Sequence, residues 1–167
     1  DDFMGLVYPK PFWAAIRGAA DSTGIDPILL LSLMRQESRF DPEARSPVGA
    51  LGLFQIMPYT AEALAQSANV EQILDGDLDE AALMQPPINA AIAATLTRNL
   101  LKVFDGAIAP VIASYNAGEE HVEFWWAGAQ NHTEDFFVDT IPYSETRRFV
   151  REVLSNVDAY RRIYKNQ

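Results

Sequence analysis

The strongest constraint on this chain is a stretch, opening at Asp26-Pro27, that is apolar nearly all the way round a helix. Ile28, Leu29, Leu30, Leu31, Leu33 and Met34 follow one another with only Ser32 between them. Asp is a favoured N-cap and Pro is tolerated at the first helical position, so the pattern predicts a helix from Pro27 to about Arg39. A helix with no polar face has to be buried, and other elements must wrap around it. With 167 residues, 49% of them hydrophobic, the chain can supply one sizeable core, and residues 1–167 are expected to form a single domain.

Helical periodicity dominates elsewhere, punctuated by Pro, Gly, Asn and Asp. A helix is predicted from Pro9 to Ala20, with Phe12, Ile16 and Ala19 on one face and a turn at Asp21-Ser22-Thr23-Gly24. Ser46 to Pro58 holds Pro47, Gly49, Gly52 and Pro58 among small apolar residues, which predicts a structured loop with tight turns and at most a very small β element. A short helix is expected from Ala61 to Ala68, then an acidic, irregular stretch from Asn69 to Met84. From Pro87 to Phe104, Ile88, Ile92, Leu96, Leu100 and Val103 recur at spacings of four and three, the stripe of a core-facing helix ended by Gly106. Another helix runs from Pro110 to Asn116-Ala117-Gly118, with Gly118 as a left-handed cap, and a Trp-bearing helix extends from there to Gly128. A polar loop follows, then a short helix to Thr140 stopped by Pro142, and a long one from Glu145 carrying Phe149, Val150, Val153, Leu154, Val157 and Tyr160. The class is all-α.

Several functions are excluded by composition. The 23 acidic and 13 basic residues give a net charge of −10, which removes the positive field that a nucleic acid backbone or an anionic membrane surface requires. There is no cysteine, hence no disulfide, thiolate metal site or cysteine nucleophile. The longest apolar stretch, Ile28 to Met34, falls far short of the roughly 20 residues of a membrane span. The chain opens at Asp1 with neither Met nor a basic-then-apolar leader, and is expected to be a processed chain or a domain excised from a longer one. Asp75-Gly76-Asp77-Leu78-Asp79 starts like a calcium loop, but Glu80 and Pro86 occupy the positions that need Gly and Glu. His121 and His132 are too far apart to read as a metal pair.

One residue carries a chemical signal. Glu37 shares a helical face with Met34, Leu33 and Leu30, so an apolar stripe ends in a carboxylate. Burial and the carbonyl end of the helix both disfavour its charged form, and a carboxyl that keeps its proton near neutral pH can serve as a general acid. The competing reading is a helix-end glutamate paired with Arg35 or Arg39, and periodicity alone leaves both open.

The run Glu37-Ser38-Arg39-Phe40-Asp41-Pro42, continued by Ser46-Pro47-Val48-Gly49-Ala50-Leu51-Gly52-Leu53-Phe54-Gln55-Ile56-Met57-Pro58, resembles the signature of soluble lytic transglycosylases. Ala113-Ser114-Tyr115-Asn116-Ala117-Gly118 and Ile141-Pro142-Tyr143-Ser144-Glu145-Thr146-Arg147 resemble two further blocks of that family in the right order, and Tyr8-Pro9 extends the likeness to the start. The resemblance implies a lysozyme-like helical globule that cleaves the N-acetylmuramic acid to N-acetylglucosamine bond of peptidoglycan. Glu37 is then the acid toward the leaving sugar and next the base toward the muramoyl C6 hydroxyl, closing a 1,6-anhydro ring without water. No cofactor or metal is implied. The partners implied are peptidoglycan glycan strands, acted on in the periplasm or cell envelope; the sequence leaves the oligomeric state open, with a monomer the expectation. Two alternatives are a goose-type muramidase that delivers water and a non-catalytic peptidoglycan-binding module.

By the same resemblance Ser46 lies near the muramoyl group, Gln55 and Met57 line the sugar cleft, and Tyr115 stands beside the acid, where its phenol is able to orient Glu37. Asn116 is either a substrate contact or a helix cap. Glu145 is either a substrate contact or a first-turn acid favoured by the helix dipole. Phe54 stands where the family usually has Met, a stiffer side chain expected beside the cleft, and Glu119-Glu120 replaces the usual Pro-Gly. Trp13, Trp125 and Trp126 can stack on sugars, but at helical spacing they read first as core.

Overall fold

The computed structural model describes residues 2–129 and 132–165. Asp1, where the leaderless start is noted, and Gln130 and Asn131, in the polar loop expected after Gly128, lie outside the described residues. The helices are α1 (Asp2–Val7), α2 (Trp13–Thr23), α3 (Pro27–Ser38), α4 (Pro58–Leu64), α5 (Glu80–Leu83), α6 (Pro86–Val103), α7 (Ile108–Ala117), α8 (Glu119–Ala127), α9 (Glu134–Thr140) and α10 (Ser144–Ile163), with a 3₁₀ turn at Val70–Gln72. The β content among the described residues is two isolated antiparallel bridges, Arg45 with Leu51 and Leu51 with Ile56, as small an element as expected. None of the described helices is long and apolar enough to cross a membrane.

The predicted buried helix is α3. Asp26 caps it, its carboxylate accepting from the Ile28 N–H at 2.8 Å, with Pro27 in the first turn. Leu30, Leu31, Leu33 and Met34 are fully buried. Around it pack α2 and α10, while α6 lies along α2 and α7 rests on α10. The segment before α2 is strapped to this core by side chains from far along the chain: Tyr160 and Tyr164 donate their phenol hydrogens to the carbonyls of Pro9 (2.8 Å) and Tyr8 (2.7 Å).

The structure corrects several boundaries. The first predicted helix begins at Trp13, not Pro9, because Phe12 adopts φ 55°, and it runs on through Asp21, Ser22 and Thr23. Ser22 and Thr23 satisfy their hydroxyls on the carbonyl of Ala19, and Gly24, φ 76°, supplies the stop. Helix α1 has no counterpart among the expectations. The helix placed at Ala61–Ala68 is displaced to Pro58–Leu64, started by its proline. The stretch from Asn69 to Met84 is not wholly irregular: Asp79 caps α5 by accepting from the Ala82 N–H at 2.8 Å. Gly118 has positive φ, but its ψ of 148° lies outside the left-handed helical well, so it ends α7 and turns the chain directly into α8.

The Ser46–Pro58 loop is fixed to the core by one fully buried polar side chain, Asn89 of α6. Its Nδ2 donates to the carbonyls of Leu51 (3.1 Å) and Leu83 (2.9 Å), and its Oδ1 accepts from the Phe54 N–H (2.8 Å). Gly52 passes so close that a Cβ there would stand 2.7 Å from Asn89 Nδ2, at a φ of 75° that side chains rarely adopt. Asn89→Ala would strand two buried backbone groups, the Leu83 carbonyl and the Phe54 N–H, since the Leu51 carbonyl keeps its bond from the Ile56 N–H; each stranded group costs about 1–3 kcal/mol. Urea unfolding should therefore show a loss of at least about 2 kcal/mol for Asn89→Ala, and Gly52→Ala should also be destabilised through strain and collision.

Candidate active site

Glu37 sits in the last turn of α3, half-buried. Neither arginine near it becomes its partner. On the helix Arg35 points to the side opposite Glu37 and spends its guanidinium on the Val7 carbonyl (2.8 Å) and the Tyr8 ring, 4.5 Å from its centroid, while Arg39 lies past the end of α3 at φ 53°. Gln36 bonds Glu152 of α10 at 2.5 Å. Among the described residues the Glu37 carboxyl receives no hydrogen bond and no ion pair. Burial with nothing to stabilise the anion pushes its pKa up from the ordinary 4.5 to about 8.

The backbone leaves α3 abruptly. Arg39 (φ 53°) and Phe40 (φ 72°) are consecutive non-glycine residues at positive φ, and the Ser38 hydroxyl accepts from the Phe40 N–H at 3.1 Å. Such conformations cost of order 1–3 kcal/mol each and persist where surrounding structure enforces them. Gln55, φ 50°, is a third, so strain gathers between Glu37 and Pro58.

Within that loop Ser46 closes a tight turn, donating its backbone N–H to the Ala50 carbonyl and accepting from the Ala50 N–H on its hydroxyl oxygen, at 2.9 Å each. The hydroxyl hydrogen keeps no protein acceptor among the described residues. Gln55 donates its amide to the carbonyls of Ala44 (3.2 Å) and Gly52 (2.9 Å), leaving its side-chain carbonyl uncommitted there. Met57, half-buried, opens α4 with extended dihedrals, its carbonyl accepting from Thr60 and Ala61.

From the other side α7 brings Tyr115. The expected bond from its phenol to Glu37 is replaced by others: the hydroxyl lies 2.8 Å from Thr97 Oγ1 and donates to the Ala93 carbonyl at 2.9 Å, both on α6. The charge of Glu37 nonetheless reaches the phenol. Burial pushes the phenol well above its usual range, the Thr97 bond pulls it back in part, and the charge of Glu37 raises it again. Asn116 is not a helix cap; its Oδ1 accepts from the hydroxyl of buried Thr146 at 2.6 Å, joining the end of α7 to the start of α10. Glu145 stands exposed in the first turn of α10, beside that joint.

Phe54 departs from expectation: it is fully buried in the core, so it shapes the underside of the loop rather than a cleft wall. Glu119 and Glu120 are exposed in the first turn of α8 and help line a depression of about 590 Å³. Trp13, Trp125 and Trp126 are half-buried against the core. Among the described residues no three His, Asp or Glu side chains gather where a metal could be held. Sequence reasoning missed Asn89 and Thr97. The available signal was their phase, since Asn89, Ala93 and Thr97 recur every four residues along one face of a helix otherwise read for its apolar stripe.

A single unpartnered carboxyl that keeps its proton at neutral pH can donate that proton and, once charged, take another back. A family model described as the transglycosylase SLT domain matches residues 14–137. The chain is 34% identical over 135 residues to the soluble lytic murein transglycosylase of Escherichia coli strain K12, spanning 80% of this chain and 20% of that protein. It is 29% identical over 167 residues to a putative soluble lytic murein transglycosylase of Haemophilus influenzae, spanning 99% of this chain and 27% of that one. The chain thus spans about a quarter or less of the length of these curated relatives. Among solved structures, the 70-kDa soluble lytic transglycosylase of Escherichia coli superposes with a TM-score of 0.85 at 28% identity, covering 96% of this chain and 25% of that one. An inactive glutamate-to-glutamine variant of the lytic transglycosylase Slt of Pseudomonas aeruginosa gives 0.83 at 27%, covering 98% and 26%.

The raised pKa has a stability consequence whose sign is fixed. Between 4.5, where the unfolded chain releases the Glu37 proton, and about 8, where the folded one does, the folded state binds more protons and loses stability as pH rises. Glu37→Gln carries no such penalty. Thermal unfolding should show its advantage over the parent growing from pH 4.5 to about 8 and level above that.

Proposed function

The chain belongs to the transglycosylase SLT family, and from that membership we propose that it is a peptidoglycan lytic transglycosylase with Glu37 as its acid and base. The observation that carries the reading is the isolation of Glu37 at the end of a buried helix, with no cation or donor to hold it charged. In the first step the Glu37 carboxyl gives its proton to the glycosidic oxygen, and the N-acetylglucosamine side leaves as the bond to the muramoyl C1 breaks. In the second, the Glu37 carboxylate takes the proton of the muramoyl C6 hydroxyl while its oxygen bonds to C1. The products are a 1,6-anhydromuramoyl end and a free sugar end, with the carboxyl returned to its starting state.

This chemistry fits one carboxyl. Glycosidases that use water or a covalent intermediate need a second carboxylate at a set separation, whereas an internal hydroxyl nucleophile removes that need. The neighbouring residues support the assignment through their free valences. The Ser46 hydroxyl and the Gln55 side-chain carbonyl are left for hydrogen bonds to sugar hydroxyls or acetamido groups, with Met57 as an apolar edge. Tyr115 stands next to the acid. Asn116 and Glu145 lie together at the joint of α7 and α10, where a glycan strand would find polar contacts. The substrate places the enzyme in the periplasm or cell envelope, and two relatives are named for action on murein.

Purified sacculi digested by the domain should release muropeptides about 18 mass units lighter than hydrolysed ones, the mass of one water retained by hydrolysis and not here. Glu37→Gln should lower that release by about 10²–10⁴-fold. Hydrated products would instead make the protein a muramidase. The rate should fall along an alkaline limb with a midpoint near 8, as Glu37 loses the proton it must donate.

A further inference from the structure

Helix α6 buries a hydroxyl that neither the core nor the helix requires. Thr97 is fully buried, and an apolar residue of the same size would avoid the cost of burying a polar atom. Its Oγ1 lies 2.8 Å from the Ala93 carbonyl one turn back, a bond that contributes little to a helix. It lies equally 2.8 Å from the Tyr115 hydroxyl, which in turn donates to Ala93 at 2.9 Å. Three oxygens thus share two hydroxyl hydrogens in a closed triangle. Donating to α6, the phenol offers only lone pairs in other directions.

The Tyr115 hydroxyl hydrogen is therefore committed to α6, and among the described residues no hydrogen bond joins the phenol to Glu37. Held in this way, the phenol gives no hydrogen bond that would stabilise the Glu37 carboxylate. We infer that Thr97 is a positioning residue for the reaction: through the triangle with Ala93 it seats the Tyr115 phenol on α6, with its proton turned away from Glu37. The inference rests on the reading of Glu37 as the acid. In that reading the triangle has a function that packing alone does not supply, since it keeps a potential donor from claiming the carboxyl before the substrate does.

Thr97→Val tests this, because a methyl cannot approach the phenol oxygen to 2.8 Å as the hydroxyl does and must push it off α6. On purified uncrosslinked glycan strands, Thr97→Val should lower kcat about tenfold with KM changed less than about twofold, and Thr97→Ser should restore the rate. In a Tyr115→Phe background the same Thr97→Val change should cost nothing further, since the two residues act as one unit. The Tyr115 Cζ carbon resonance, assigned by its loss in Tyr115→Phe, should shift in Thr97→Val and return in Thr97→Ser. An unmoved resonance overturns the inference, as does an equal loss of kcat with and without the Tyr115 hydroxyl. If the parent protein releases no anhydro product, the lytic reading fails, and the resonance still decides whether Thr97 seats the phenol.

Discussion

The burial of α3 is the constraint from which the rest of the molecule follows. A helix apolar on every side can only lie at the centre, so α2 and α10 close on it and its last turn reaches the surface carrying Glu37. Desolvation is then unavoidable at that position, and the outcome depends on what stands nearby. One cation within about 4–6 Å would pull a carboxylate pKa down by 1–3 units and leave an ordinary ion pair. Arg35 on the helix points the other way and is occupied by the strap residues Val7 and Tyr8, and Arg39 lies past the helix end at φ 53°. The raised pKa of Glu37 comes from burial that this diversion of charge leaves uncompensated.

A second, smaller constraint is the hold of Asn89 on the loop after α3. The loop buries Leu51, Leu53, Phe54 and Ile56 in the core, yet three residues at unfavourable positive φ load it. Three hydrogen bonds from one buried amide, with Gly52 pressed against it, supply the compensation. Strain and anchor together keep Ser46, Gln55 and Met57 on a rigid support rather than on a mobile loop. For the proposed glycan site, such preorganisation avoids an ordering cost on binding.

What the sequence made legible divides along physical lines. Patterns with a period survive into three dimensions, so α3, α6 and α10 appear within about two residues of their predicted limits, and the loop with its trace of β structure lies where its prolines and glycines put it. The start of α2 was hidden because it depends on a phenylalanine accepting left-handed dihedrals, which no propensity favours. The isolation of Glu37 follows from periodicity only in part: spacing shows the apolar face, but the absence of an arginine partner depends on residues brought from the chain start. Phe54 looked like cleft and is core, since alternation within a tight turn does not fix which way a side chain faces. The roles of Asn116 and Tyr115 as joints to α10 and α6 depend on Thr146 and Thr97, which no local pattern connects to them.

The central claim is that Glu37 holds its proton at neutral pH because the fold denies its anion any partner. Carbon NMR of protein labelled at the glutamate side-chain carboxyl carbons measures this directly, with the Glu37 signal identified by its absence from Glu37→Gln. The account predicts a titration midpoint near 8, well apart from the other glutamates. A midpoint near the ordinary value of 4.5 would contradict it, and with it the assignment of Glu37 as the acid.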